Sequence, residues 1–101
     1  MPKLCFQIFI AGKSNRNNQL VRNYKEACQA RLATNSYELT VIDLASNPQL
    51  AEHHKILATP TILRSRPAPE RRVIGNLTPE GALQALNFLI EDLNHTKHEK
   101  S

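Results

Sequence analysis

A chain of 101 residues, 41% apolar and 22% charged, is long enough to form one domain with a core of its own, without metal or disulfide support. No apolar run approaches a membrane span, and the N-terminus lacks the apolar stretch of a secretory signal, so a cytoplasmic protein is expected. The formal charge of +4 points to an anionic partner, but the basic residues are scattered and the aromatics are only three Phe and two Tyr, which disfavours nucleic acid.

Residues 3–11 alternate, with Leu4, Phe6, Ile8 and Ile10 on one face and Cys5, Gln7, Phe9 and Ala11 on the other. That period of two predicts a strand covered at least partly on both faces. A polar turn over 12–18 follows. Leu20, Tyr24, Cys28 and Leu32 then recur every four residues, which predicts an amphipathic helix ending near Thr34. Residues 37–44 are β-branched and aromatic in the manner of a strand. Asn47-Pro48 has the form of a helix start, with Asn as N-cap and Pro at the first helical position, opening a short helix over 48–56. A third strand over 61–64, a turn at Pro67-Ala68-Pro69 and a fourth strand over 71–75 come next. Thr78-Pro79-Glu80 opens a last helix with Leu83, Leu86, Ile90 and Leu93 on one stripe, ending near Asn94. The expected domain is 1–94, with 95–101 a flexible polar tail.

Little in this pattern carries catalytic chemistry. Cys5 and Cys28 sit on different predicted elements and read as packing residues. His53-His54 and His95-x-x-His98 lack the spacing of a metal site, so no metal or cofactor is expected. Ser14, Asp43 and the histidines form no nucleophile-base set, and Asp43 and Glu38 share a strand without an identifiable partner. Arg64, Arg66, Arg71 and Arg72 lie across the predicted hairpin. They are expected at a strand edge, either binding a partner or protecting the edge from aggregation.

The order βαβαββα, with a proline opening the third strand at Ala58-Thr59-Pro60-Thr61, resembles a thioredoxin-like α/β domain, whose proline there is cis. Thioredoxin chemistry needs Cys-x-x-Cys at the turn after the first strand, where a helix N-terminus lowers the thiol pKa. Here that turn reads Ala11-Gly12-Lys13-Ser14-Asn15-Arg16. A thiol redox protein using Cys5 or Cys28 is the alternative reading.

Three blocks are more specific: Asn47-Pro48-Gln49-Leu50-Ala51-Glu52, then Lys55-Ile56-Leu57-Ala58-Thr59-Pro60-Thr61, then Arg71-Arg72-Val73-Ile74-Gly75. Together they closely resemble the KaiB family of circadian clock proteins. The resemblance implies a non-enzymatic regulator with two folds. One is a tetrameric βαββααβ ground state. The other is a monomeric thioredoxin-like state that binds the hexameric ATPase KaiC, sequesters KaiA and displaces a sensor kinase bearing a KaiB-like domain. Carried over by position, Arg22 and Lys55 would face a KaiC-like partner, the 37–44 edge would face KaiA, and Gly75 and Asn76 would lie where the fold changes. Phe9, Asn76 and the 13–17 turn depart from the family pattern, which implies a divergent paralogue. Ala, Leu and Gln dominate 79–93 and favour helix there, so the monomeric thioredoxin-like form is expected at rest.

Overall fold

The computed structural model describes residues 3–75 and 78–98. The elements are β1 (Leu4–Ile10), α1 (Asn15–Arg31), β2 (Tyr37–Asp43), α2 (Gln49–His53), β3 (Thr61–Arg66), β4 (Arg71–Ile74) and α3 (Pro79–His98). The strands form one mixed sheet in the order β2-β1-β3-β4. β1 runs parallel to β2, with Leu4 opposite Tyr37 and Ile10 opposite Asp43, and antiparallel to β3. The parallel pair requires a crossover, and α1 supplies it.

Alternation along β1 determines what each face meets. Phe6, Ile8 and Ile10 enter one buried cluster with Leu20, Val21, Tyr24 and Cys28 of α1 and with Ala82, Leu86, Leu89 and Ile90 of α3. Tyr24 lies edge-on to Phe6, with ring centroids 5.9 Å apart. Phe9 is also buried but stands outside that cluster. It packs against His54, just past α2, at 5.1 Å. The result is a thioredoxin-like α/β domain.

Several boundaries differ from the sequence reading, each for a local reason. α1 starts at Asn15, inside the expected turn, because the Ser14 hydroxyl accepts from the Asn17 N–H at 3.1 Å. Pro48, not Asn47, stands at the cap of α2; the Asn47 amide donates instead to the Asp43 carbonyl at 3.4 Å. β3 continues to Arg66. The buried stripe of α3 is Ala82, Ala85, Leu86, Leu89 and Ile90, with Leu83 and Leu93 only half-buried. α3 remains helical through His98, so the chain from His95, expected as tail, continues the helix.

Candidate functional site

The turn between β1 and α1, where a thioredoxin carries its cysteines, is closed here by polar side chains. Gly12 holds φ +91, a conformation that L side chains rarely adopt, and its N–H donates to Asp43 Oδ1 at 2.8 Å. The same oxygen accepts from the Ala45 N–H at 3.0 Å. These two N–H groups, Gly12 first, hold the Asp43 carboxyl below the usual carboxylate range. Asn17 adds a clamp from the helix side, its amide donating to the carbonyls of Ala11 at 3.2 Å and Gly12 at 2.7 Å. Sequence reasoning left Asp43 without a partner. The parallel pairing of Ile10 with Asp43 is what brings the two chain segments together.

Beside this turn the Thr59–Pro60 bond is cis, and Thr59 and Pro60 line a groove with Ala11, Arg16, Asn17 and Gly75. Gly75 holds φ +147. Asn76 lies outside the described residues.

Arg22 and Lys55 are both exposed and line different grooves. Arg22 faces outward from α1 beside Lys13 and Lys25, against Val41 on the β2 edge. Lys55 lies in the loop after α2, next to Leu57. Its carbonyl accepts from Arg72 Nη1 on β4 at 3.1 Å, which places it toward the other edge of the sheet.

The four hairpin arginines do not cluster on an edge. Arg64 is wholly buried and donates to Asp92, to the Leu89 carbonyl and to the Pro69 carbonyl. Arg71 stacks over the Phe88 ring at 4.2 Å and reaches Glu91 at 3.3 Å. Arg72 pairs with Glu70 at 2.6 Å. Only Arg66 remains exposed without a described ion pair. The sequence showed four charges on a hairpin, but it contained no signal that α3 would supply acids to two of them.

Both cysteines are free thiols. Cys28 is buried in the core, and burial pushes its thiol up to about 12 despite the neighbouring Tyr24 hydroxyl. Cys5 is half-buried on β1 beside a register shift and outside the core cluster. His53 and His54 pack edge-to-face at 4.8 Å, and the described residues contain no group of three or more metal-ligating side chains. No described helix is long and apolar enough to cross a membrane.

Residues 7–89 match the KaiB domain model. The chain is 38% identical over 93 residues to the circadian clock oscillator protein KaiB of Trichodesmium erythraeum, covering 91% of this chain and 88% of that one. It is 34% identical over 94 residues to the circadian clock protein KaiB3 of Synechocystis, covering 92% and 91%. Among solved structures it resembles the N-terminal domain of Synechococcus elongatus SasA, with a TM-score of 0.74 at 23% identity over 91% of this chain and 87% of that one. It also resembles thioredoxin 1 of Thermosipho africanus, with a TM-score of 0.64 at 15% identity over 89% and 98%. At those identities the structural likeness concerns the fold alone.

Proposed function

The chain belongs to the KaiB family of circadian clock proteins, and on that premise we propose that it is a non-enzymatic cytoplasmic regulator that docks on a KaiC-like hexameric ATPase. The match over nearly the whole domain to relatives named as clock proteins carries this reading. Competition with, or recruitment of, KaiA and a KaiB-like sensor kinase belongs to the same proposal. So does the assignment of Gly75 and Asn76 to a fold-changing segment.

Exposed cations suit such docking. Arg22 and Lys55 stand in solvent without a described ion pair, so each is available to an acidic surface. Because they line separate grooves, they would contact the partner at separate points. The rival thiol reading has weaker support at Cys28, since a thiol pushed up to about 12 supplies almost no thiolate near neutrality. An insulin-reduction assay separates the two, with no reductase activity expected. The direct experiment is a binding titration against KaiC homologues of the same organism, using the wild type, Arg22→Glu and Lys55→Glu. Both reversals should weaken binding, less so as salt rises. Affinity unchanged in both would refute the carry-over of these two residues.

A further inference from the structure

β4 ends the sheet, and its outer edge has no partner among the described residues. The phase of the ladder tells which groups stand there. The Gly75 N–H donates to the Pro60 carbonyl at 3.3 Å, and the next residues pair as Thr61 with Ile74 and Leu63 with Arg72. The N–H and C=O groups of Arg72 and Ile74 therefore point away from β3. Sheets commonly guard such an edge with charged side chains. Here both arginines of β4 are turned back onto the protein. Arg71 lies over Phe88 and pairs with Glu91 and Asp92, while Arg72 pairs with Glu70 and donates to the Lys55 carbonyl. The edge at Ile74, itself 54% exposed, is left bare. Beside it a groove of about 280 Å³ opens between β4 and α3. Val73, Ala85 and Phe88 give it apolar walls, and Gln84 is its one polar side chain. Gly75 and Gly81 line it without any side chain, and a Cβ at Gly75 would meet nothing within 4 Å.

We propose that β4 accepts an extended segment of a partner protein as a fifth strand, and that one apolar side chain of that segment sits in the groove. Unpaired N–H and C=O groups call for a peptide backbone, which would pair with Arg72 and Ile74. Such a strand sets one residue opposite Val73, on the α3 face and toward the groove. Its neighbour falls opposite Ile74, on the other face, against that exposed side chain. The segment thus carries apolar side chains at two consecutive positions. It needs no charge there, because the arginines beside the edge already have acidic partners. A free small molecule suits the place less well: such sites usually start at about 300 Å³, and a small apolar ligand would leave the edge groups unmet. A second copy suits it less well too. Two β4 strands of four residues would join only through Arg72 and Ile74 of each, between chains that both carry +4. Neither Arg22 nor Lys55 lines this groove, so the surface is separate from the docking proposed above.

The test follows amide NMR shifts of the isotope-labelled full chain during titration with capped peptides of about six residues, a common strand length. The peptides carry Val, Ile or Phe at the two central positions. Saturable binding is expected, with shifts confined to β4 and the side of α3 that faces it, and with equal affinity at low and high salt. Methylating alternate amide nitrogens of the peptide should weaken binding about tenfold or more in one phase and little in the other, because only one set faces β4. Ile74→Lys, which places a charge on the edge, should also weaken binding about tenfold or more while melting at the wild-type temperature. Arg22→Glu should bind the peptide like wild type, so failure here and failure of the clock-partner reading are told apart. No saturable binding by any peptide would overturn the proposal. Equal affinity for both methylated phases would also overturn it, leaving an apolar cleft without strand pairing. A concentration-dependent dimer in sedimentation, abolished by Ile74→Lys, would make the occupant a second copy of this chain and overturn the proposal as stated.

Discussion

Arg64 and Asp92, 28 residues apart, meet through two charge-assisted hydrogen bonds, Nη1 to Oδ1 at 2.6 Å and Nη2 to Oδ2 at 2.9 Å. The same guanidinium donates to the Leu89 carbonyl at 2.8 Å and the Pro69 carbonyl at 2.5 Å. One buried side chain thus ties β3 to α3 and to the β3–β4 turn.

Removing Asp92 strands that cation. Asp92→Ala should lower the unfolding free energy by about 3 kcal/mol, near the low end for breaking a buried pair, because the Asp92 side chain keeps 27% exposure. Replacing both partners, Arg64→Met with Asp92→Leu, should cost less than Asp92→Ala alone, since no charge is then left unpaired. Urea denaturation of the three proteins measures this. A double variant weaker than the single one would contradict it.

Acid should destabilise the fold through Asp43 and Asp92. Hydrogen bonds from the Gly12 N–H and from Arg64, respectively, hold the two carboxyls below the ordinary range. A carboxyl with a depressed folded pKa adds stability above its unfolded value, about 3.9, and loses it as pH falls through the folded value. These two groups leave stability flat between about pH 7 and 5 and erode it below about 4. Asp43→Asn and Asp92→Asn should each flatten the acid limb of a stability–pH curve.

The two thiols should differ in access. Iodoacetamide at mildly alkaline pH should leave Cys28 unmodified in the native chain and alkylate it after denaturation, because burial holds the thiol protonated and screened. Mass spectrometry of the native protein showing rapid alkylation of Cys28 would contradict the packing described here.

Gly12→Ala should cost about 1–3 kcal/mol even though a Cβ there meets no atom within 4 Å, since the penalty lies in the φ of +91. Thermal unfolding measures it. A drop no larger than a surface substitution gives would mean that the turn relaxes and releases its bond to Asp43.

In solution the resting form should be a monomer near 11.4 kDa with helical secondary chemical shifts across residues 82–90. Strand-like shifts there, or a tetramer by light scattering at micromolar concentration, would contradict it.

The element order could be read from the sequence because periodicity and turn chemistry are local. Alternation in β1 and the four-residue spacing of Leu20, Tyr24 and Cys28 need no knowledge of the rest of the chain. Arg64 shows where this stops. Its neighbours along the chain made it look like an edge charge, while its partner lies on α3, far along the sequence. Asp43 was obscured for the same reason, since Gly12 is 31 residues away. The stripe on α3 was misplaced because Ala82 and Ala85, small and easily passed over beside leucines, face the core where Leu83 and Leu93 do not fully reach it.

The position of β1 inside the sheet bears on synthesis. β1 leaves the ribosome before both of its neighbours, and its β3 side stays open until residues 61–66 have been made. A nascent chain in which only β1 and β2 have paired would present the unpaired N–H and C=O groups of the β1 edge, in addition to the β2 edge that stays open in the finished sheet, above an apolar face that α3 does not yet cover. Such an intermediate is a template for pairing with another chain. The interval after β2 has emerged and before β3 has emerged should therefore be the one in which this chain is most prone to aggregate or to need a chaperone.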